Sequence, residues 1–322
     1  MQNAAADLLS RRLGGRWTLR PAGGSGFAAT WHAHGGAGDL FVKSAPPEAA
    51  GMLQAEADGL AALAATGTVR VPAVVDCWAT EGACLLALEH LAFAPPPHDF
   101  GARLGAALGA LHRARAPGDG RFGWQRDNWI GGTPQANRWH DDWIGFLAHE
   151  RLGALAARLA ADGAPARLLD GVQRVIERLP RFFDDGHVPR PALIHGDLWS
   201  GNWAALGDGT PVVYDPAVSV SDAEAELAMM ELFGQPPAGF LEAYRASAGL
   251  SPGYPRRRGL YQLYHLLNHA LLFGGGYLGS AQQAVDALLD SSARAESGQV
   301  GMQSLRSATS LRGPHRSPPD PT

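Results

Sequence analysis

Leu193-Ile194-His195-Gly196-Asp197-Leu198-Trp199-Ser200-Gly201-Asn202 is an apolar run that breaks into a loop of the form H-G-D-x-x-x-x-N. Alone, His-Gly-Asp is an ordinary turn capped by its aspartate. Asn202 changes that reading. A carboxylate followed five residues later by a carboxamide is the pair that phosphoryl transfer uses: the first accepts or orients an acceptor hydroxyl, and the amide oxygen of the second ligates a metal. Thirteen residues beyond Asn202, Pro211-Val212-Val213-Tyr214 reads as a second strand ending in Asp215-Pro216. Asp215 is thereby a carboxylate suited to Mg²⁺, a hard cation that prefers oxygen ligands. In this arrangement His195 braces the loop and takes no part in the reaction.

Working back towards the N-terminus, Trp17-Thr18-Leu19, Ala29-Thr30-Trp31 and Leu40-Phe41-Val42-Lys43 read as an antiparallel meander around a glycine-rich turn, Gly23-Gly24-Ser25-Gly26. Such a turn brings backbone N–H groups close to phosphates, although only G-x-G is present and Ala29 stands where a third glycine would be. Gly23, Gly24 and Ser25 are the candidate phosphate cradle. Between Pro46 and Thr66 the apolar residues Met52, Leu53, Ala57, Leu60 and Leu63 recur at helical spacing and carry Glu56 with them. A strand lysine followed by a helix glutamate is the order in which the two pair in kinases, so Lys43 is assigned to the α- and β-phosphates and Glu56 to Lys43. Strands are expected at 69–75 and 84–89, with Glu89 and Leu91 at the nucleotide edge of a connector that runs into Pro95-Pro96-Pro97.

Helical patterns follow at 99–112, 141–160, 165–180, 222–233, 238–247 and 256–273. The expected fold is therefore α+β and two-lobed: a small antiparallel sheet with one helix at 1–90, a hinge at 91–97, and a larger, mainly helical lobe at 98–291. A polar tail at 292–322, rich in Ser, Arg and Pro, reads as disordered. Trp124, Trp129, Trp139 and Trp143 are expected mostly in the core.

The 322 residues are 46% apolar and 18% charged, enough to build a core. With 27 basic against 31 acidic residues no basic field exists to hold nucleic acid or an anionic membrane. Two cysteines, Cys77 and Cys84, exclude a disulfide framework and read as buried or half-buried thiols. Neither a secretory h-region nor a spanning apolar run is found, so a cytoplasmic protein, monomeric by preference, is expected.

The assembled motifs resemble the fructosamine kinase (ketosamine-3-kinase) family, relatives of aminoglycoside phosphotransferases and choline kinases. The residues that carry the resemblance run from about 5 to 290. They include Phe41-Val42-Lys43, Glu56-Ala57-Asp58-Gly59-Leu60, Asp127-Asn128-Trp129-Ile130-Gly131, Gln135-Ala136-Asn137, the His195–Asn202 loop, and Tyr261-Gln262-Leu263-Tyr264-His265-Leu266-Leu267-Asn268-His269. Two departures stand out: Pro216 replaces Phe-Gly after the metal carboxylate, and Asp222 to Glu226 reads Asp-Ala-Glu-Ala-Glu. The resemblance implies a protein-kinase-like fold, ATP and Mg²⁺ as cofactors, and phosphorylation of O3 of ketosamines. The substrates would be small ketosamines or glycated proteins, and the adduct then leaves the amine, which is deglycation and repair. Asp197 would be the catalytic carboxylate, and Asn202 and Asp215 the metal ligands. Trp199 would stack on the sugar, while His265 and His269, four apart on one helix face, are candidate acceptor contacts for which simple packing is the stronger explanation. Another small alcohol acceptor (an aminoglycoside, a choline-like alcohol or a sugar) stays open, as does a non-catalytic nucleotide-binding protein.

Overall fold

The structure is a computed structural model that describes residues 2–23, 28–36 and 38–290. Gly24, Ser25 and the 292–322 tail therefore lie outside the described residues. Helix α1 (Gln2–Leu13) precedes the strands β1 (Trp17–Pro21), β2 (Ala29–Gly35) and β3 (Gly38–Ala45). Helix α2 (Ala50–Ala65) follows, then β4 (Val74–Ala79) and β5 (Cys84–Glu89), giving an antiparallel five-stranded sheet in the order β1-β2-β3-β5-β4. Its two faces explain its composition. Trp17, Leu19, Trp31, Val42, Leu85 and Ala87 pack on Ala5 and Leu9 of α1, whereas Ala45, Leu86 and Leu88 pack on Leu53, Ala57, Leu60 and Leu63 of α2. With a helix on each face, β5 is an unbroken apolar run and not an alternating one.

Residues from the connector onward are mainly helical, with small strand pairs inserted. The first elements are β6 (Phe93–Ala94), α3 (Phe100–Arg113), and a hairpin of β7 (Asn128–Ile130) with β8 (Thr133–Gln135). Next come α4 (Trp143–Phe146), α5 (Ala154–Ala161) and α6 (Ala166–Glu177). The strands β9 (Pro191–Ile194), β10 (Trp203–Leu206), β11 (Pro211–Val213) and β12 (Ser219–Asp222) then lead to α7 (Ala223–Met230), α8 (Phe240–Ala248), α9 (Tyr254–Phe273) and a final helix α10 over 276–290. Helices α3 and α8 touch backbone to backbone: a Cβ at Gly105 would lie 2.3 Å from the Phe240 carbonyl oxygen, so only glycine permits this approach.

Pairing of the late strands positions the chemistry. β9 pairs with β12, setting Ile194 opposite Ser219, and β10 pairs with β11, setting Trp203 opposite Val213. The loop 195–202 leaves one pair and enters the other, and the loop 214–218 makes the return journey. The two loops must lie side by side.

Several elements differ from the sequence reading. The strand expected at 69–75 begins only at Val74, because Pro72 has no N–H to give a ladder, and Arg70 forms an isolated parallel bridge to Val212 instead. The helix expected over 141–160 is interrupted by a π-helical turn at Leu147–Gly153, whose wider spacing carries Glu150 and Arg151, both buried. Helices α1 and α10 are additions. Cys77 and Cys84 sit on neighbouring strands, half-buried and buried. Among the described residues no helix is long and apolar enough to cross a membrane.

Candidate active site

A cleft of about 1010 Å³ runs between the five-stranded sheet and the paired loops, lined by Gly23, Lys43, Glu56, Asp197, Trp199, Asn202, Asp215 and His269 among others. Lys43, opposite Thr30 and Leu86 in the sheet, places its Nζ 2.8 Å from a Glu56 oxygen and 2.8 Å from Asp215 Oδ1. Burial works against the charge on Lys43, but the two carboxylates outweigh it and its pKa is raised, so it stays an ammonium. Asp215 has φ +58, left-handed backbone that costs a non-glycine residue roughly 1 kcal/mol or more. The surrounding contacts hold it there.

His195 joins the two loops. Its Nε2 lies 2.8 Å from the Tyr214 carbonyl, which can only accept, and its Nδ1 lies 3.3 Å from the Asp197 N–H, which can only donate. The partners fix a neutral ring protonated at Nε2, in keeping with a pKa lowered by burial. Gly196 has φ +85, and a Cβ there would meet the Ala217 carbonyl oxygen at 2.1 Å. Between His195 and Asp197 no other residue fits.

Asp197 is pushed up to about 8 by burial, then by the nearby charges of Asp215 and Glu226, with Asn202 opposing. Asn202 Nδ2 donates to the Asp197 carbonyl at 2.7 Å and lies 3.4 Å from Asp197 Oδ2. With its nitrogen so committed, Asn202 offers the cleft its amide oxygen, and Asp215 keeps a carboxylate oxygen not taken by Lys43. Hard oxygen donors on two adjoining loops fit a Mg²⁺ ion.

Glu226 is the functional residue that sequence reasoning missed. Only 1% exposed, its carboxylate accepts hydrogen bonds from the main-chain N–H groups of both His195 and Gly196. The acidic run 222–226 held the signal. All three acids are buried and paired: Asp222 accepts from Tyr261 and contacts His187, Glu224 pairs with Arg257, and Glu226 grips the loop.

Other expectations are redistributed. The Glu89 side chain is held by Arg70 and the Ala73 N–H, and neither Glu89 nor Leu91 lines the cleft. Trp199 is 40% exposed on the cleft wall, folded over Gly201 so closely that a Cβ there would strike its ring at 2.4 Å. His269 lines the cleft, but His265 does not. One turn deeper on α9, His265 is buried, held at a pKa of about 3 by burial, and faces a cavity of about 30 Å³ with Glu226, Ser219, Ser221 and Tyr261. It is removed from the acceptor contacts because the helix buries that turn. Trp124 and Trp143 are core, Trp139 packs against it, and Trp129 is cleft wall.

The hairpin residues form a buried polar network beneath the 214–218 loop. Asn128 Nδ2 donates to the Val218 carbonyl (2.8 Å), and Asn128 Oδ1 accepts from Gln135 (2.8 Å) and Asn137 (2.7 Å). Tyr264 donates to Gln135, and Arg151 donates to Asn137 Oδ1 at 2.8 Å. Carboxamides suit this task because each both donates and accepts.

A family model described as fructosamine kinase matches residues 1–291. The chain belongs to the fructosamine kinase family. Within it, a probable ketoamine kinase of Synechocystis is 46% identical over 252 residues, covering 77% of this chain and 82% of that one. A chloroplastic protein-ribulosamine 3-kinase of rice, Oryza sativa subsp. indica, is 38% identical over 254 residues, 79% of this chain and 73% of its own. The crystal structure of a candidate fructosamine-3-kinase from Thermobifida fusca superposes with a TM-score of 0.80 at 33% identity, covering 89% of this chain and 99% of that one. An aminoglycoside phosphotransferase solved with ADP and hygromycin B shares the fold alone, with a TM-score of 0.62, 15% identity, and coverage of 89% and 98%. This member of the fructosamine kinase family is thus a phosphotransferase with a kinase-like α+β fold.

Proposed function

We propose that the protein transfers the γ-phosphoryl group of ATP to the O3 hydroxyl of ketosamines, fructosamines or ribulosamines formed on amines or proteins, and so initiates their removal. The observation that carries this reading is the meeting of Lys43, Glu56 and Asp215 in one ion-paired cluster within the cleft that also holds Asp197. Lys43 binds the phosphates. Asp197 orients the acceptor hydroxyl and takes its proton as the O3–P bond forms and the bond to the β-phosphate oxygen breaks, releasing ADP. Asn202 and Asp215 would hold Mg²⁺, which neutralises phosphate charge. Gly23 brings its backbone to the phosphates, and Trp199 presents a flat apolar face to the sugar. Residues 91–97 serve as the hinge between lobes 1–90 and 98–291, and the protein acts in the cytoplasm. The naming of the rice relative as a ribulosamine 3-kinase supports the acceptor class. ADP release measured with fructose-lysine, ribulose-lysine, kanamycin and choline tests the reading. Turnover of the two ketosamines is expected, and faster turnover of kanamycin than of ribulose-lysine would overturn it.

A further inference from the structure

Three of the six exposed large apolar side chains among the described residues, Trp199, Phe233 and Phe273, line the one cleft. Phe233 and Phe273 are 40% and 67% exposed, and isolated exposed aromatics would need no explanation, but these converge. The His269 ring lies 4.8 Å from Phe233, 5.5 Å from Phe273 and 5.1 Å from Tyr277, and Phe273 lies 5.9 Å from Tyr277. His269 is fixed from behind, its Nδ1–H donating to the His265 carbonyl at 2.8 Å. The rings form a cup built from α9, the start of α10 and, through Phe233, the turn after α7. Adjacent to it, Asn268 is 2% exposed, lines the cleft, and has an amide oxygen with no hydrogen-bond partner. A buried amide oxygen left unpaired is costly, and a ligand donor would relieve it. Apart from Lys43 at the sheet side, no lysine or arginine among the described residues lines this cleft.

Resting on the ketosamine reading above, we infer that this cup is a specificity site for the amine-bearing part of the acceptor: Phe233, Phe273 and Tyr277 receive an apolar or aromatic amine substituent, and Asn268 accepts a hydrogen bond from the substrate. A ketosamine nitrogen is a secondary amine attached at C1, close to O3, so its substituent projects from the sugar into whatever adjoins the catalytic carboxylate. Aromatic faces favour alkyl, aryl and cationic groups over anionic ones, and among the described residues no lysine or arginine stands there to pair with a carboxylate. The favoured acceptors are ketosamines of apolar amines. Those whose nitrogen carries a neighbouring carboxylate are disfavoured.

The test is steady-state ADP release with fructosamines of benzylamine, butylamine and glycine, in the wild type and in Phe273→Ala and Phe233→Leu. Phe273 is largely exposed, so its truncation leaves the core intact, and Phe233→Leu keeps apolar bulk. The wild type should show kcat/KM about tenfold higher for the benzylamine adduct than for the glycine adduct. Phe273→Ala should collapse that ratio through KM for the acceptor, with KM for ATP unchanged. Equal kcat/KM for all three adducts, or an unchanged ratio in both variants, would overturn the inference while leaving the ketosamine reading standing. Absence of turnover on every fructosamine and on ribulose-lysine would remove both together.

Discussion

Asp197 carries opposite burdens for activity and stability. Its pKa of about 8 means that burial beside Asp215 and Glu226 penalises its ionised form in the folded protein. The unfolded chain releases this proton near pH 4. Between those values the native state binds more protons than the unfolded one, so stability falls as pH rises from about 4 to about 8. Asp197→Asn should therefore melt at a higher temperature than the wild type at pH 7, with the gap closing towards pH 4, as thermal denaturation across that range would reveal. Activity runs the other way: Asp197→Ala should cost roughly 10²–10⁴-fold in kcat with nucleotide affinity little changed. Turnover within a few-fold of wild type would remove Asp197 from the mechanism. The Asp197–Asn202–Asp215 spacing was legible because short loops between paired strands leave the chain little choice. Glu226 was not, since its effect depends on a helix distant in sequence turning one particular carboxylate towards two amide groups.

Among the elements, α7 and the α3–α8 pair do the positioning. Glu226→Gln keeps the shape but replaces charge-assisted acceptance with a neutral one, a loss of about 1–2 kcal/mol at the loop. The expected result is kcat lowered about tenfold or more with KM for ATP near wild type, and a rise in KM for ATP as large as the fall in kcat would argue for general loosening instead. At the α3–α8 contact, Gly105→Ala drives a methyl group into the Phe240 carbonyl and should destabilise by about 1–3 kcal/mol, measurable by urea unfolding. Helix periodicity located α2, α3 and α6 to α9 in the sequence to within a few residues. It could not show the π-helical turn at Leu147–Gly153, because what holds it is the buried reach of Arg151 to the Ala136 carbonyl and Asn137. Nor could composition tell that α1 closes the outer face of the sheet.

For the molecule as a whole, the sheet and the helical part meet through Lys43 and Asp215, which lie 172 residues apart in sequence. Ligands that engage both sides should stabilise the entire fold by mass action, by about 2.7 kcal/mol at a hundredfold excess over Kd. Mg·ATP is expected to raise the Tm of the wild type, and Asp215→Ala should lose most of that rise. An undiminished shift in the variant would reject Asp215 as a metal ligand.

The carboxamide network under the 214–218 loop has a consequence for how this chain can vary. Asn128, Gln135, Asn137, Arg151 and Tyr264 come from the hairpin, the segment after it, the π-helical turn and α9, yet each satisfies another's buried polar group. Removing one member orphans its neighbours, so most of the damage falls on the first loss. Substitutions here should show strong epistasis: Asn128→Ala with Tyr264→Phe should be far less harmful than the sum of the two singles, a coupling a double-mutant cycle would resolve. These five positions form one heritable unit, open to replacement together and closed to replacement singly.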